Sequence, residues 1–317
     1  MEDKQINYCP ICGSHLRASN ENFALKDIFN MWAPQVFSDA VIQEHLAISS
    51  HTSLFRCSSC ELEIFLPKVI GLPSFYEAAS HEAHSSSTGY YENTKWDFYE
   101  AARDIDNNKL AVIEFGCGPG NFLHMIQSRV QKVIGVEFNP QAAEMGRAQN
   151  LKIYESLDYP EKDQELFDAA FSFHVLEHVE DPLVFLQSMK AQLKPGGIIG
   201  ISVPNQDGPI RFINPCAMNM PPHHATRWRL RTFRHAANEL GLSIKRVSYE
   251  PLLLENHSYY SVYWPKYLLP SDAFPSKVLR IIISLPLRAF FGVLCRAGLK
   301  YFRFLRGQSI YVLMEKS

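Results

Sequence analysis

The sequence lacks a strong net charge. Its 317 residues carry 31 Lys and Arg against 33 Asp and Glu, for a formal net charge of −2. Proteins that bind nucleic acid without regard to sequence present an excess of basic side chains to the phosphates. Residues 1–70 are net acidic, with five basic and eight acidic side chains. We therefore expect no nucleic-acid partner.

The sequence also lacks an apolar leader and a long uninterrupted apolar run. Its start, MEDKQINYCP, has no hydrophobic core typical of a secretory signal. The longest candidate run, residues 281–295, holds 15 residues and contains Pro286 and Arg288, whereas a bilayer span takes about 20. The seven cysteines are few and odd in number, which favours reduced thiols. These features predict a cytoplasmic protein without a spanning helix.

Pattern divides the chain into three parts. Residues 1–70 contain two CxxC pairs, and residues 71–109 are expected to form a linker (HEAHSSST) and then a helix around 95–105. Residues 110–317 alternate apolar runs with helical patterns, which is typical of a parallel α/β sheet, and include a hydrophobic, basic insert at 251–307. The predicted strands are LAVIEF, KVIGVE, LKIYES, FDAAFSF, GIIGISV, LSIKRVSY and the C-terminal QSIYVLM. The segment LKPGG is expected to close the helix that precedes GIIGISV.

A glycine-rich turn follows the first of these strands. VIEFGCGPGNF places Gly116, Gly118 and Gly120 where the backbone can approach a ligand and the next helix can offer N–H groups. Asn121 stands where the dinucleotide motif G-x-G-x-x-G needs its last glycine, which argues against an NAD-dependent oxidoreductase. Glu137 ends the second strand, where a carboxylate can accept both hydroxyls of a ribose.

Taken in order, VIEFGCGPG, VIGVEFNP, FDAAFSFHVLEHVEDP and LKPGGIIGISVPN resemble the motifs of class I S-adenosylmethionine-dependent methyltransferases. The resemblance covers residues 90–250 and the last strand. It implies a Rossmann-like seven-stranded sheet with the last strand antiparallel, helices on both faces, and S-adenosylmethionine as cofactor. The cofactor-binding residues that it implies are Glu114, Gly116, Gly118, Gly120, Glu137, Phe138, Ser156, Leu157, Phe173 and His174.

The segment MPPHHATRW, residues 220–228, follows the fifth strand and is expected to be a stiff loop on the ligand-binding edge of the sheet. It resembles a PPHH-x-x-RW element of methyltransferases found with sugar and polysaccharide biosynthesis. We predict His224 as general base, with His223 second and His174 near the methyl group. In the alternative, both loop histidines only hydrogen-bond to Arg227 and Trp228.

The segment His174-Val-Leu-Glu177-His178 matches the H-x-x-E-H signature of inverted zinc proteases. Its place inside the methyltransferase motifs argues against proteolysis. An alternative is a divalent metal held by Glu177, His178 and a loop histidine. This resembles the E-x-x-E-H of some metal-dependent methyltransferases, but His174 replaces the first Glu. A structural role for Glu177 and His178 also stays open.

The two CxxC pairs predict a structural zinc ion, because four thiolates make a closed tetrahedral site. The two pairs are separated by 44 intervening residues, and helices are expected between them. The predicted ligands are Cys9, Cys12, Cys57 and Cys60. Alternative single ligands are His15, His45 and His51.

The insert at 277–306 combines apolar bulk with basic residues. Residues 259–306 hold eight Lys or Arg and one acid, Asp272. This composition suits a helix lying in an anionic membrane interface, and a lid or a dimer contact is the alternative.

Together these features predict a zinc-containing methyltransferase of a small-molecule or glycan acceptor, such as a nucleotide-linked sugar or cell-envelope glycan intermediate. Its location would be cytoplasmic, with peripheral membrane contact through 277–306. The alternatives are a methyltransferase of a membrane lipid or quinone hydroxyl, a ribosomal RNA methyltransferase, and a non-catalytic cofactor-binding protein. The sequence predicts neither the methylated atom (O, N or C) nor the oligomeric state.

Overall fold

The structure, a computed structural model, describes residues 8–85, 95–105, 109–157 and 166–317, with the backbone alone for 80–85. Eleven strands occur in this part of the chain: β1 Leu16–Ala24, β2 His51–Cys57, β3 Glu63–Leu66, β4 Ala111–Phe115, β5 Lys132–Val136, β6 Ile153–Tyr154, β7 Phe167–Phe173, β8 Leu193–Pro204, β9 Thr226–Arg227, β10 Leu242–Leu253 and β11 Tyr301–Lys316. The helices are α1 Leu25–Phe29, α2 Asp39–Leu46, α3 Pro73–Ser85, α4 Trp96–Ala102, α5 Asn121–Ile126, α6 Pro140–Arg147, α7 Pro182–Ala191, α8 Leu230–Glu239, α9 Trp264–Leu268 and α10 Phe274–Arg296.

Seven strands form one mixed sheet in the order β10-β11-β8-β7-β4-β5-β6. The neighbours from β8 to β6 are parallel, and β11 runs antiparallel to both β8 and β10. Helices cover both faces: α4 and α5 pack on one side, and α7 and α8 pack on the other. The predicted α/β fold and its seven-stranded sheet are confirmed.

Local signals explain why α6 and α7 begin where they do. The Oδ1 of Asn139 accepts hydrogen bonds from the N–H groups of Gln141 and Ala142, and Asp181 does the same for the first turn of α7. A proline follows each cap at the first helical position, where its missing N–H costs nothing. Helix α6 thus starts soon after the carboxyl end of β5, whereas α7 starts only after the loop that follows β7.

A second sheet holds β1, β2, β3 and β9 in that order. The first three strands come from the N-terminal segment, but β9 comes from the MPPHHATRW loop, with Glu63 opposite Arg227 and Ile64 opposite Thr226. The cysteine pairs share one hydrophobic cluster with Trp228 of that loop. The domain boundary at residue 70 stays a prediction, and the segment before it completes its sheet only with a strand from the second half of the chain.

Several local expectations were wrong. The expected linker HEAHSSST begins inside α3, which continues to Ser85, and its last three residues lie outside the described residues. LKPGG does not close α7, because β8 already begins at Leu193. QSIYVLM does lie in the last strand, but that strand, β11, is longer than expected, with 16 residues from Tyr301 to Lys316.

The insert forms a helix longer than its apolar run. Helix α10 continues through Pro286 for 23 residues, or about 34 Å at 1.5 Å per residue. By length and composition alone it is long and apolar enough to cross a membrane. The expectation that this segment is too short was therefore wrong. The helix packs through Phe291 against Leu252 and Leu254, with Leu287 and Leu294 beside them.

Candidate active site

The candidate site lies at the carboxyl ends of the parallel strands, where ligands bind in open α/β sheets. Glu114 lies in β4 next to its last residue, Glu137 follows β5, and His174 follows β7. Ser156 and Leu157 come just after β6, with Ser156 exposed and Leu157 half-buried. The residues that the sequence predicts for the cofactor are thus brought to one edge of the sheet.

The turn after β4 requires its glycines. Gly116, Gly118 and Gly120 have φ values of 69°, 54° and 81°, in the left-handed region that favours glycine. A Cβ on Gly116 would lie 2.4 Å from Cγ2 of Val175. A side chain on Gly116 would therefore collide with Val175, so this position next to β4 requires glycine.

Two carboxylates flank this turn. Glu137 holds it in place, because Oε2 accepts the N–H of Gly118 at 2.7 Å and Oε1 accepts that of Asn139 at 2.8 Å. Glu114 is 2 % exposed, and its Oε2 has no hydrogen-bond partner among the described residues. Burial, and then the charge of Glu137, raise the pKa of Glu114 well above its usual range. Phe138 is 71 % exposed at the same edge.

This arrangement suits S-adenosylmethionine. The orphaned oxygen of Glu114 can accept a hydrogen bond from the cofactor's amino group, and the bare glycine turn leaves room for its methionine part. Glu137 already uses one oxygen for each of two backbone N–H groups, and its remaining lone pairs can accept ribose hydroxyls. The predicted roles of these residues stay predictions.

His174 is held as a cation. Its Nε2 lies 3.1 Å from Oδ2 of Asp97, and its Nδ1 lies 3.5 Å from Oε1 of Glu177. Burial by itself would lower the pKa of His174, but the two carboxylates outweigh it and raise the pKa to about 9. His174 also has φ of 55°, rare for a residue with a side chain. The neighbouring Phe173 packs into the core against Phe98 and Phe122.

A cluster of three imidazoles lies beside this ion pair. One ring nitrogen each of His178, His223 and His224 lies within 4.8 Å of the others. The rings of His223 and His224 stack with their centroids 4.4 Å apart, and both residues are 5 % exposed. Burial lowers the pKa of all three, that of His223 to about 3. We call this set, together with Glu177, the histidine cluster.

The loop histidines do not bond to Arg227 or Trp228. His223 Nδ1 lies 3.1 Å from the carbonyl of Met218, and His224 Nδ1 lies 3.2 Å from Oδ1 of Asn219. The alternative in which they only tie the loop to those two side chains was therefore wrong. Instead, Trp228 donates to Thr226, and Arg227 donates to the carbonyl of Asn219.

The four predicted cysteines also come together, and we call them the cysteine cluster. The Sγ atoms of Cys9 and Cys60 are 3.4 Å apart, and those of Cys12 and Cys57 are 3.5 Å apart. A tetrahedron of thiolates at 2.3 Å from zinc has edges of about 3.8 Å, so the set could hold zinc with little movement. Backbone N–H groups of Ile11, Ser59 and Cys60 point at two of these sulfurs. In the described part of the chain, no histidine joins this group.

A buried ion pair connects the N-terminal segment to the histidine loop. Glu63, in β3, receives Arg229 Nη2 at 2.6 Å and has Arg227 Nη1 at 3.5 Å. Thr232 donates to the carbonyl of Cys60 at 3.0 Å. Sequence reasoning missed this connection, because no local spacing relates Glu63 to residues more than 160 positions away.

Comparison with known proteins gives a family. The family model described as "Methyltransferase domain" matches residues 89–247. Ubiquinone biosynthesis O-methyltransferases are similar to part of the chain. The protein from Xanthomonas campestris pv. campestris (strain B100) is 28% identical over 103 residues, which cover 30% of this chain and 43% of that protein. The one from Bradyrhizobium diazoefficiens is 32% identical over 104 residues, covering 31% and 41%. The chain thus matches less than half the length of these relatives.

Solved structures of similar fold include an S-adenosylmethionine dependent methyltransferase from Mesorhizobium loti. It has a TM-score of 0.45 and 17% identity, and the match covers 71% of this chain and all of that one. A SAM dependent methyltransferase from Archaeoglobus fulgidus also has a TM-score of 0.45 and 17% identity, with 76% and 100% covered.

Proposed function

Because the chain belongs to the methyltransferase domain family, we propose that it transfers a methyl group from S-adenosylmethionine to a hydroxyl of a lipid-carried acceptor at a membrane surface. The observation that carries the choice of acceptor is helix α10. The cofactor supplies an electrophilic methyl group on a sulfonium centre. The protein's part is to bind it at the glycine turn, align the acceptor and remove the acceptor's proton.

One side of α10 presents apolar side chains to the outside. Phe274, Ile281, Ile282 and Leu285 are between 57 % and 79 % exposed, and at 3.6 residues per turn they fall on one side of the helix. Exposed apolar area of this kind marks a contact with another apolar phase. Basic residues accompany it, and Arg288 and Arg296 are exposed on the same helix.

On the opposite side of α10, one residue is buried against the rest of the protein. Phe291 is 1 % exposed and packs on the ends of β10 and β11. A helix that crosses the bilayer is surrounded by lipid or by further helices. Arg288, near the middle of α10, would then lie close to the bilayer centre, where burying its charge is costly. These contacts therefore support a helix lying in the interface rather than one crossing the bilayer.

The insert also adjoins the acceptor side of the site. The ring of Tyr260, in the insert, lies 5.8 Å from that of Phe212. Phe212 belongs to the same loop after β8 that carries the histidine cluster's His223 and His224. An acceptor held in the membrane and bound along α10 would therefore reach the loop between β8 and β9, which carries His223 and His224. We call it the acceptor loop, because we propose that it contacts the acceptor's hydroxyl. The names of the curated relatives, which concern a quinone lipid, agree with this class of acceptor.

A nucleotide-linked sugar remains the second candidate, because MPPHHATRW resembles the element found in sugar and polysaccharide methyltransferases. Such an acceptor is soluble and needs no membrane. For either acceptor we propose that the cysteine cluster holds a structural zinc ion and that the enzyme works on the cytoplasmic side.

Vesicle binding tests the proposal. The variant Ile281→Asn/Ile282→Asn/Leu285→Asn should lose most of its sedimentation with phosphatidylglycerol–phosphatidylcholine vesicles, while its affinity for S-adenosylhomocysteine stays unchanged. The matched control is Ile48→Asn/Met145→Asn/Val184→Asn, which changes three exposed apolar residues elsewhere. If the wild-type protein did not sediment with vesicles, or if both variants bound vesicles equally well, the support for a lipid-carried acceptor would be lost.

A further inference from the structure

We propose that His178, His223 and His224 form a second metal site, which binds a divalent first-row transition ion such as zinc, with the Glu177 carboxylate beside it. The four residues come from two loops. Glu177 and His178 follow β7, and the other two lie between β8 and β9. The sheet brings these loops together at its carboxyl edge, and three ring nitrogens gather there within 4.8 Å of one another.

Hydrogen bonds fix the same tautomer in all three rings. His223 Nδ1 faces the carbonyl of Met218, and His178 Nδ1 faces the carbonyl of His223. A carbonyl only accepts, so each of these nitrogens carries its proton. His224 Nδ1 faces Oδ1 of Asn219 in the same way. Each Nε2 therefore keeps its lone pair, which is the state that binds a metal.

The Asn219 contact is itself oriented. Its amide nitrogen donates to Oε1 of Gln206 at 3.1 Å, which directs Oδ1 to His224. Asn219 is 2 % exposed, and its carbonyl accepts from Nε of Arg227 at 2.8 Å. Partners that orient a ligating imidazole through its second nitrogen are usual around metal sites.

Three buried side-chain atoms of the histidine cluster have no hydrogen-bond partner in the described part of the chain. Both carboxylate oxygens of Glu177 and the Nε2 of His223 lack a hydrogen-bond partner within the described residues, although these side chains are buried. The Nε2 atoms of His178 and His224 each lie 3.9 Å from Oε1 of Glu177. A divalent cation between the three imidazoles would bind their free lone pairs and place a positive charge beside the buried Glu177 carboxylate.

One neighbouring charge, His174, already faces Glu177. His174 Nδ1 lies 3.5 Å from Oε1 of Glu177, but without hydrogen-bond geometry, and its Nε2 faces Asp97 instead. Three imidazoles favour zinc, iron or nickel over magnesium, calcium and manganese, which prefer oxygen ligands.

The role of the ion rests on the proposed function. As a Lewis acid beside the acceptor loop, it would draw electron density from an acceptor oxygen and make its proton easier to remove. His223 and His224 would then act as ligands, in place of the general-base role that the sequence suggests.

Metal content measured without acceptor or cofactor tests the site. Wild-type protein grown with zinc should hold two zinc ions per chain, and His178→Gln/His224→Gln should hold one. The control His51→Gln/His124→Gln removes two exposed histidines and should keep two. One ion in the wild type, lost only on Cys9→Ser, would overturn the proposal, whereas two ions in a protein inactive on lipid-carried acceptors would overturn the proposed function alone.

A second measurement needs no variant. When zinc is replaced by cobalt, only the ion in the cysteine cluster should show intense thiolate charge-transfer absorption. A second equivalent should add weak bands without it, and X-ray absorption at the metal edge should give nitrogen and oxygen ligands at about 2.0–2.2 Å for that ion. A second equivalent that stays unbound, or one bound by sulfur, would contradict the site.

Discussion

The cysteine cluster and the histidine cluster gather metal-binding atoms in opposite ways. Each cysteine pair is local, since two sulfurs three residues apart share one tight turn, and the two turns are brought together by β1 and β2. The histidine cluster takes its members from two loops on the edge of the large sheet. It is buried beside the acceptor loop, and its donors include unpaired oxygens. The comparison contrasts a proposed closed zinc site, made by two local turns, with a proposed metal site that only the large sheet brings together.

The largest effect is expected from Cys57→Ser. A structural zinc site contributes on the order of 10–16 kcal/mol of binding free energy that is coupled to folding, so the variant should lose zinc and cooperative thermal unfolding. Cys295→Ser, at an exposed cysteine outside the cluster, is the control. Zinc content and a melting curve decide the matter. A variant that lacks zinc but melts like the wild type would show that the cysteine cluster does not stabilise the fold.

Glu63→Gln tests the buried ion pair that connects the N-terminal segment to the histidine loop. Breaking the buried pair with Arg229 should lower the free energy of unfolding by about 3–5 kcal/mol in urea titrations. Glu61→Gln breaks partly exposed pairs with Arg56 and Arg231 and should cost about 1 kcal/mol or less. Equal costs for the two variants would contradict the importance of this connection.

Glu137→Ala changes the cofactor edge outside both clusters. It removes the acceptor of the Gly118 and Asn139 N–H groups as well as the proposed ribose contact. Affinity for S-adenosylhomocysteine should fall by about 1.5–3 kcal/mol in calorimetry, with the metal content unchanged. Gly118→Val should also weaken binding, because φ of 54° disfavours a branched side chain. Unchanged affinity in both variants would refute the proposed cofactor site.

The smallest effect is expected from Arg288→Gln on α10. One basic side chain near an anionic surface contributes about 1 kcal/mol, so vesicle partitioning should fall about fivefold and depend less on salt. Arg280 is a poorer choice, because Asp272 already pairs with it at 2.9 Å. Arg231→Gln, exposed on α8, is the control. If vesicle partitioning changed with neither salt nor Arg288→Gln, an electrostatic contribution would be refuted, and apolar contacts alone would account for vesicle binding.

The sequence predicts what local rules decide. The buried run of β4, the Asn-Pro and Asp-Pro helix starts and the two cysteine turns each depend on a few neighbouring residues. Their positions in the structure agree with the expectation.

What the sequence could not predict depends on distant pairing. β9 is two residues long and exists because β3 lies beside it. β11 is extended by its partner β10, and the histidine cluster forms only once β7 and β8 are adjacent. The H-x-x-E-H spacing also could not predict which of its histidines would join the cluster. In the structure His178 joins it, whereas Nε2 of His174 faces Asp97.

The pairing of β3 with β9 also sets an order of events during synthesis. Ile64 pairs with Thr226, which is synthesised 162 residues later, so the small sheet lacks its fourth strand until then. At about 5–20 residues per second, the ribosome needs on the order of ten seconds or more to make that stretch. During this time the N-terminal segment with its cysteine turns has left the ribosome, and β3 has no partner strand on its outer edge. A chaperone that shields exposed strand edges would therefore act on this protein first at its N-terminal segment.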